Sequence, residues 1–430
     1  MRLGGRLAAA IEILEDMQTR HRPAAEALKD WGLSHRFAGA GDRAAIGNIV
    51  YDALRRRRSA AWLLGSEASR ALGYGALILE AGESADGLNA AIDGDRFAPP
   101  PLDEAERASI AARIDFADAP DAVKADVPDW CVPAMQAAFG DDWPVEGRAL
   151  AARPPLDLRV NPLRASSERV LADIAGTGAQ PCAIAPHGLR IAPIEGSGRH
   201  PNVQAEPAYQ KGWFEIQDEG SQIAAALAGA EPGMQVLDYC AGAGGKTLAL
   251  AVDMENKGQI FAYDSEKARL APIFDRLRRA ETRNVQATAR ASDLEALEDG
   301  MDLVLVDAPC TGSGTWRRRP DAKWRLTERQ LEARIAEQSG ILARAARYVK
   351  PGGRLVYVTC SVFPAENADQ ISRFLAEWPS FRPVDHADLL ESRFPGRSAV
   401  ARIYADRGIL LSPARSGTDG FYFASLTRTN

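Results

Sequence analysis

The chain has 430 residues, enough for two or three domains with separate hydrophobic cores. Its 46% hydrophobic and 26% charged residues are typical of a soluble globular protein, and no apolar run reaches the ~18 residues that a membrane span needs, so we expect a cytoplasmic protein. The net charge of −6 does not by itself indicate nucleic-acid binding, although residues 1–60 hold 11 basic against 7 acidic side chains.

The first part of the chain is predicted to be helical. Residues 1–140 are rich in Ala, Leu, Ile and Arg, and in RAAIGNIVYDALRRRRSAAWLL the residues Ile46, Val50 and Leu54 recur near the helical period. The N-terminal MRLGGRLAAAIEILEDM carries acidic residues, which favours an amphipathic helix over a signal peptide. We therefore predict an all-helical domain over residues 1–143, with the segment FAPPPL as a loop.

The next part predicts a small α+β module over residues 144–225. PPLDLRVNPL and GLRIAPI have the pattern of short strands, and SSERVLADIAGTG that of a capped helix that ends at glycine. The segment WFEIQDEGSQIAAALAG then leads into a further helix.

From Pro232 onward, apolar strands, Gly-rich turns and helices alternate. The apolar runs are MQVLDYC, GQIFAYD, MDLVLVDAPC and GRLVYVTCS, and their alternation with helices predicts a parallel, doubly wound α/β sheet over residues 226–430. Thr327 and Gln330 have capping-box spacing at the start of one helix, and KPGG at 350–353 is predicted to end it and open the next strand. GILLSPARSGTDGFYFASL predicts a final antiparallel hairpin.

The loop DYCAGAGGKT, at residues 238–247, resembles the end of a phosphate-binding P-loop but has Cys240 where the first glycine should be. Its glycines directly follow a strand, as in dinucleotide-type turns, where small residues let a cofactor approach the backbone. The next strand ends at Asp264, 22 residues after Gly242, where an acid typically binds ribose hydroxyls. The loop therefore predicts a ligand that contains a ribose.

Three of the five cysteines, Cys240, Cys310 and Cys360, fall at predicted strand ends, where ligands of open α/β sheets lie. The cysteines form no CxxC pair and the five histidines have no ligand spacing, so we predict no disulfide and no metal site. DAPC and VTCS place an acid and two thiols at one sheet edge, as nucleophilic attack on an electron-poor ring carbon requires. The alternative for each cysteine is a small core residue.

These motifs resemble those of the Sun-type RNA (cytosine-5) methyltransferases, in particular the bacterial ribosomal-RNA branch. Residues 238–247 are similar to the family pattern D-x-C-A-x-P-G-G-K-T, DAPCTGSGTWRRRP matches its D-x-P-C motif, and TCSVFPAEN matches T-C-S-x-x-P-x-E-N. The resemblance covers roughly residues 150–426, and residues 1–143 resemble a NusB-like helical RNA-binding domain. The family usually has Pro at Ala243, so we expect a more flexible loop here.

The resemblance implies a Rossmann-like fold and S-adenosyl-L-methionine-dependent methylation of cytosine carbon 5 in RNA, first of all 16S ribosomal RNA, by a monomer. It implies that Cys360 is the nucleophile, that Cys310 assists release, and that Asp307 binds the base edge or the cofactor's amino end. From the residues alone the two cysteine roles stay interchangeable, since a Pro-Cys nucleophile serves the DNA enzymes. The alternative for Asp307 is a cap or turn residue.

The resemblance also implies two sets of binding residues. In the cofactor set, Asp293 is expected to contact the adenine amino group, and the alternative for Asp293 is a helix N-cap, since ASDLEAL has that pattern. The run WRRRPDAKWR joins basic and aromatic side chains after Cys310, which indicates RNA contact or, alternatively, an exposed basic turn. The cofactor set is Cys240, Ala241, Gly242, Ala243, Gly244, Gly245, Lys246, Asp264, Asp293 and Asp307, and the RNA set is Arg317, Arg318, Arg319, Lys323 and Trp324.

Other functions stay open at this point. A non-catalytic RNA-binding assembly factor with the same fold would fit Ala243, and a transfer-RNA cytosine-5 methyltransferase would fit the same motifs. A nicotinamide oxidoreductase would explain the glycine loop and Asp264 but would give Cys310 and Cys360 no role.

Overall fold

The computed structural model describes residues 1–429. Its α-helices are α1 (Leu3–Arg20), α2 (Ala24–Ser34), α3 (Ala40–Arg55), α4 (Arg57–Leu64), α5 (Ser69–Ala81), α6 (Ala85–Ile92), α7 (Glu104–Arg113), α8 (Asp121–Lys124), α9 (Val132–Phe139), α10 (Trp143–Leu150), α11 (Ser167–Asp173), α12 (Pro207–Gln210), α13 (Glu219–Ala228), α14 (Gly245–Asp253), α15 (Lys267–Leu270), α16 (Ile273–Arg279), α17 (Pro320–Arg325), α18 (Glu328–Ala346), α19 (Ala368–Glu377), α20 (His386–Arg393) and α21 (Pro413–Ser416). Its strands are β1 (Leu156–Val160), β2 (Gln180–Pro181), β3 (Gly188–Ile191), β4 (Phe214–Ile216), β5 (Gln235–Asp238), β6 (Gln259–Tyr263), β7 (Val285–Thr288), β8 (Met301–Asp307), β9 (Val349–Thr359), β10 (Phe381–Pro383), β11 (Ala401–Ile403), β12 (Ile409–Leu411) and β13 (Phe421–Arg428).

The contacts of the chain divide it into two compact units. Unit 1 comprises Met1–Pro154, Pro193–His200 and Thr315–Leu326, and unit 2 comprises Pro155–Ala192, Pro201–Gly314 and the chain from Thr327 onward. The small α+β module thus shares a unit with the C-terminal sheet. The division into domains at residues 143 and 225 stays a prediction.

Unit 1 is helical, as the apolar periodicity predicts. Helix α1 packs against α3 and α5, and α4 packs against α5, around a core of apolar side chains. The long helix suggested by RAAIGNIVYDALRRRRSAAWLL breaks at Arg56 into α3 and α4. Helix α17 packs on α3, where the indole nitrogen of Trp324 donates a hydrogen bond to the Leu54 carbonyl at 2.6 Å. Core residues include Leu7, Leu14, Val50, Leu63 and Tyr74.

The small module contains a four-stranded antiparallel sheet in the order β2-β3-β1-β4. One face of β1 buries Leu158 and Val160 against Phe214 of β4, as period-2 alternation requires. Helix α11 begins where predicted, with the Ser166 side chain accepting a hydrogen bond from the Arg169 amide.

The main sheet follows the order β11-β12-β13-β9-β8-β5-β6-β7, with β10 paired to β13. Strands β5 to β9 pair in parallel, whereas β13 pairs antiparallel with β9 and β12. The strand order reverses between β5 and β8, which is the topological switch point where open α/β sheets bind ligands. The predicted Rossmann-like fold and the antiparallel final hairpin are both confirmed.

Two features of this sheet differ from the sequence predictions. KPGG does not end the preceding helix, because α18 already ends at Ala346, and these four residues bulge out inside β9. There Met301 pairs with Val349 and Leu303 with Arg354, and Gly352 has a φ of +76° that favours glycine. The strands β7, β10 and β11 were not predicted.

The capping box of α18 is present, because the Thr327 hydroxyl accepts from the Gln330 amide and the Gln330 side chain accepts from the Thr327 amide. No helix among residues 1–429 combines the length and apolar character needed to cross a membrane.

Candidate active site

The site lies at the carboxyl ends of β5, β6, β8 and β9, which meet at one edge because these strands are parallel. Asp238 ends β5 and Asp307 ends β8. Asp264 and Cys360 each follow directly after the last residue of β6 and β9. The switch point therefore brings together residues that lie more than a hundred positions apart in the sequence.

The two predicted thiols meet at this edge. The Sγ atoms of Cys310 and Cys360 are 3.4 Å apart, within hydrogen-bond distance for two sulfurs. Both cysteines are partly buried and neither forms a disulfide. A base carbon placed against one sulfur would therefore lie close to the other.

The environment of Cys310 favours its protonated form. Its hydrogen bond with Cys360, its burial and the nearby charge of Glu366 together raise the pKa of the Cys310 thiol well above its usual range. Cys310 therefore keeps its proton at neutral pH.

The glycine loop forms a tight turn between β5 and α14. Gly242 and Gly244 have φ angles of +49° and +84°, and a Cβ atom on Gly244 would lie 2.4 Å from a side-chain carbon of Ile273, so only glycine fits there. The Ala243 carbonyl accepts a hydrogen bond from Arg276 at 2.8 Å, a contact that sequence patterns gave no reason to expect. The loop therefore leads directly into α14, with Gly244 in the left-handed conformation before the first helical residue.

Asp264 is buried beneath this loop. Its Oδ2 accepts a hydrogen bond from the Gly242 amide at 3.0 Å, and its Oδ1 accepts from the Glu266 amide at 2.9 Å. Each carboxylate oxygen can accept two hydrogen bonds, so acceptor capacity is left for a ribose hydroxyl. The structure thus brings Asp264 and Gly242 together, as their spacing predicts.

Two further acids line the edge. Asp238 accepts from the Thr247 hydroxyl at 2.6 Å through Oδ2, while its buried Oδ1 has no hydrogen-bond partner, and burial raises the pKa of Asp238 to about 7. Asp307 accepts from the Lys246 ammonium at 2.7 Å, and that ammonium also lies 5.2 Å from the ring of Phe421. Lys246 is thus buried against Asp307.

The charges of this edge suit a cation. Three acids, Asp238, Asp264 and Asp307, lie at this edge with two cationic side chains, Lys246 at 2.7 Å from Asp307 and Arg269 at 3.7 Å from Asp264. The burial of Cys240, with the charges of these acids, raises the pKa of the Cys240 thiol so that it stays neutral. The sulfonium and amino groups of S-adenosylmethionine carry positive charge, so the residues present fit this cofactor.

Asp293 lies after β7 in the 3₁₀ helix Ala291–Leu297. Its Oδ2 accepts hydrogen bonds from the Thr288 hydroxyl at 2.6 Å and from Arg290 at 3.2 Å, which lower the pKa of Asp293. It caps no helix. Its contact with adenine stays a prediction.

The RNA set is placed differently from what its composition suggests. Arg317 and Lys323 are 4% and 1% exposed, so neither presents its charge to solvent. Lys323 lies 4.8 Å from the Trp324 ring and faces the opposite charge of Asp126, and burial lowers the pKa of Lys323 to about 8. This burial does not favour RNA contact by these two side chains, and their place in the RNA set stays a prediction.

The reason for this difference is that α17 packs into the helical core of unit 1. Arg319 is exposed, and Arg318 is partly exposed. These two remain at the surface, while Trp324 is partly buried with its indole nitrogen bonded within unit 1.

A prediction follows for the carboxylate beneath the loop. In Asp264→Asn an amide group faces either the Gly242 or the Glu266 N–H, so one buried donor loses its acceptor and the negative charge is lost. We expect the dissociation constant for S-adenosylmethionine to rise about 10- to 100-fold, the range of a hydrogen bond to a charged group. Calorimetric titration measures it, and the exposed Asp388→Asn on α20 serves as control. Unchanged binding would contradict the assignment.

Within the described chain, no group of three or more His, Cys, Asp or Glu side chains is arranged to hold a metal ion. The residue that sequence reasoning passed over is Glu366, which lies in TCSVFPAEN with no role assigned and is fully buried beside both cysteine loops. The sequence gives no sign that this glutamate is buried, and only the structure shows it.

Known proteins resemble this chain over most of its length. A family model for 16S rRNA methyltransferase RsmB/F matches residues 224–427, and one for the RsmF/B-like ferredoxin-like domain matches residues 127–194. Ribosomal RNA small subunit methyltransferase B of Escherichia coli (strain SMS-3-5 / SECEC) is 33% identical over 311 residues, and that of Pseudomonas putida is 32% identical over 306 residues. Each alignment covers 70% of this chain, and the chain spans 66% of the length of these relatives.

Solved structures of other proteins also resemble this chain. The structure of PH0851 covers 99% of this chain and 100% of its own, with 26% identity and a TM-score of 0.72. NSun6 from Pyrococcus horikoshii with SFG covers 71% of this chain and 99% of its own, at 20% identity and a TM-score of 0.61, and so bears on the fold alone. Two family models match the chain, the curated relatives carry the same description, and the motifs at the strand ends resemble those of the family. The chain therefore belongs to the RsmB/F family of Sun-type methyltransferases.

Proposed function

We propose that the chain transfers the methyl group of S-adenosylmethionine to carbon 5 of a cytosine in 16S ribosomal RNA, through a covalent bond between Cys360 and the base. The observation that carries this proposal is the 3.4 Å separation of the Cys310 and Cys360 sulfurs at a sheet edge. Family membership supports the methyl donor, and the acidic edge fits its positive charge. A second thiol beside the nucleophile suits a reaction in which the first sulfur must also be released from the base.

The chemistry requires a nucleophilic thiol because carbon 5 of cytosine is a poor nucleophile. The Cys360 thiolate adds to carbon 6, and the electrons of the former carbon 5–carbon 6 double bond become available at carbon 5. S-adenosylmethionine supplies an electrophilic methyl group, which carbon 5 takes up. Loss of the carbon-5 proton then restores the double bond and breaks the bond between Cys360 and carbon 6.

Cys310 is assigned to this last step. Its thiol proton passes to the departing sulfur of Cys360, and the Cys310 sulfur takes the carbon-5 proton in exchange, so both cysteines end as thiols. Cys360 then releases one proton to solvent and becomes the thiolate that begins the next turnover. Asp307, held by Lys246 at 2.7 Å, is assigned to hydrogen-bond the base edge or the cofactor's amino group. The base must leave its stack to reach this edge.

The target RNA is inferred from the family. The matching model describes 16S rRNA methyltransferases and the relatives bear the name of a ribosomal RNA small subunit methyltransferase, which favours 16S ribosomal RNA over transfer RNA. The proposal places the protein in the cytoplasm as a monomer, with Arg318 and Arg319 among its RNA contacts.

Methyl transfer tests this function directly. The purified chain, given S-adenosylmethionine with a labelled methyl group, is expected to label 16S ribosomal RNA and to leave transfer RNA unlabelled. Digestion to nucleosides and mass spectrometry should place the label on carbon 5 of cytosine, and bisulfite sequencing of RNA from cells that lack the gene should locate the nucleotide. Label on another atom, or bound cofactor without any transfer, would contradict the proposal.

A further inference from the structure

We propose that Glu366 is a positioning residue that holds the Cys310 loop against the Cys360 loop, so that the two sulfurs converge. Its catalytic consequence rests on the proposed function, whereas its geometric part does not. The inference concerns four residues, Glu366, Thr311, Ser361 and Gln338, which we call the Glu366 network.

Both oxygens of the Glu366 carboxylate are fully engaged. Oε1 accepts hydrogen bonds from the Thr311 amide at 2.8 Å and from the Gln338 side chain at 3.0 Å. Oε2 accepts from the hydroxyls of Thr311 and Ser361. Glu366 is 0% exposed, and every one of these donors is an uncharged group. A buried carboxylate is tolerated only where hydrogen bonds replace its hydration, and four do so here.

The donors come from three different elements. Thr311 directly follows Cys310, Ser361 directly follows Cys360, and Gln338 projects from α18. Gln338 also donates to the carbonyl of Pro309, the residue before Cys310, at 2.9 Å. The carboxylate therefore fixes the chain next to both sulfurs at once.

The chemistry of the donors requires an acceptor at the Oε1 position and tolerates a donor at the Oε2 position. The Thr311 amide and the Gln338 amide group can only donate towards Oε1, so that position needs an acceptor. The two hydroxyls that face Oε2 can rotate and accept instead. A glutamine at 366 can thus keep the arrangement with its carbonyl at the Oε1 position, whereas an alanine removes it.

Other contacts keep the two loops folded in the absence of Glu366. The Gly314 amide donates to the Cys360 carbonyl at 2.9 Å, and the Val362 amide donates to the Ser313 hydroxyl at 2.9 Å. Removal of the Glu366 side chain is therefore expected to loosen the positions of the sulfurs without separating the loops.

The first test measures the sulfurs without RNA. Diamide, a diazene, oxidises two neighbouring thiols to a disulfide and is itself reduced to the hydrazine by their two electrons and two protons. Mass spectrometry of peptides follows the Cys310–Cys360 disulfide over time. We expect Glu366→Ala to form it at least ~10-fold more slowly than the native chain, and Glu366→Gln to stay within ~3-fold, because small displacements of reacting atoms have large effects on rate.

Two controls lie on α19, which follows Glu366. Glu377→Ala removes an exposed carboxylate, and Ile371→Val removes one buried methyl group without touching the network. Both are expected to oxidise at the native rate. If Glu366→Ala does not fold, Thr311→Val, which lacks one hydroxyl donor, takes its place, and slower disulfide formation is again expected. A native rate in the folded Glu366→Ala or Thr311→Val variant would overturn the proposal.

The second test separates positioning from binding. Glu366→Ala is expected to lower kcat for methyl transfer by ~100-fold or more and to leave KM for S-adenosylmethionine within ~3-fold, with Glu366→Gln restoring most of kcat. A KM effect without a kcat effect would overturn the positioning role. If the native chain transfers no methyl group to cytosine, the proposed function fails, while the oxidation rates still decide whether Glu366 positions the sulfurs.

Discussion

Cys360→Ala is expected to abolish methyl transfer to RNA, with a loss of at least ~10⁴-fold, because removal of a covalent nucleophile leaves only binding and orientation. S-adenosylmethionine should bind as before, since the glycine loop and Asp264 are untouched by the change. Transfer of labelled methyl to RNA measures the first expectation and calorimetric titration the second.

The matched control is Cys182→Ala, which removes a partly buried cysteine of the small module in the same unit. It should retain native transfer. Retention of more than ~1% of activity in Cys360→Ala would mean that the thiolate is not the nucleophile, since a catalytic residue of this kind contributes far more.

Cys310→Ala is expected to trap the RNA on the protein. Without the second thiol the proton exchange that ends the reaction is lost, so the bond between Cys360 and carbon 6 persists and turnover falls by about 10²- to 10⁴-fold, the range of a general acid–base group. The adduct should appear as a slow-moving band of labelled RNA on a denaturing gel.

The double variant Cys310→Ala/Cys360→Ala provides the control, because it has no sulfur at this edge and should form no adduct. If the adduct appears in Cys360→Ala and not in Cys310→Ala, the two roles are reversed.

The strand ends were predictable because the rules that govern them are local. A run of apolar residues marks each buried strand, and parallel strands end at one edge, so Cys310 and Cys360 could be expected close together without knowledge of any contact. The same rule related Gly242 to Asp264, whose hydrogen bond the structure contains.

Side-chain burial was not predictable in this way. The run WRRRPDAKWR has the composition of an exposed basic surface, but Lys323 is buried. It faces Asp126, which lies about 200 positions earlier in the sequence, and the rings of Trp316 and Trp324, which belong to the run itself. From the sequence, Glu366 could equally be an exposed acid, and only its four hydrogen-bond donors in the structure show that it is buried and engaged. Such partners depend on tertiary packing, which a local pattern does not encode.

The helical unit is assembled from three separate stretches of the chain, one of which, Thr315–Leu326, begins directly after the Cys310 loop. Deleting residues 1–154 would remove Leu54, which accepts a hydrogen bond from the Trp324 indole, and Asp126, which faces Lys323. Both enclosed side chains of that stretch would then face water. The N-terminal helices are therefore not a separable domain, because a protein without them would expose Lys323 and Trp324, which lie 13 and 14 positions after Cys310 in the sequence.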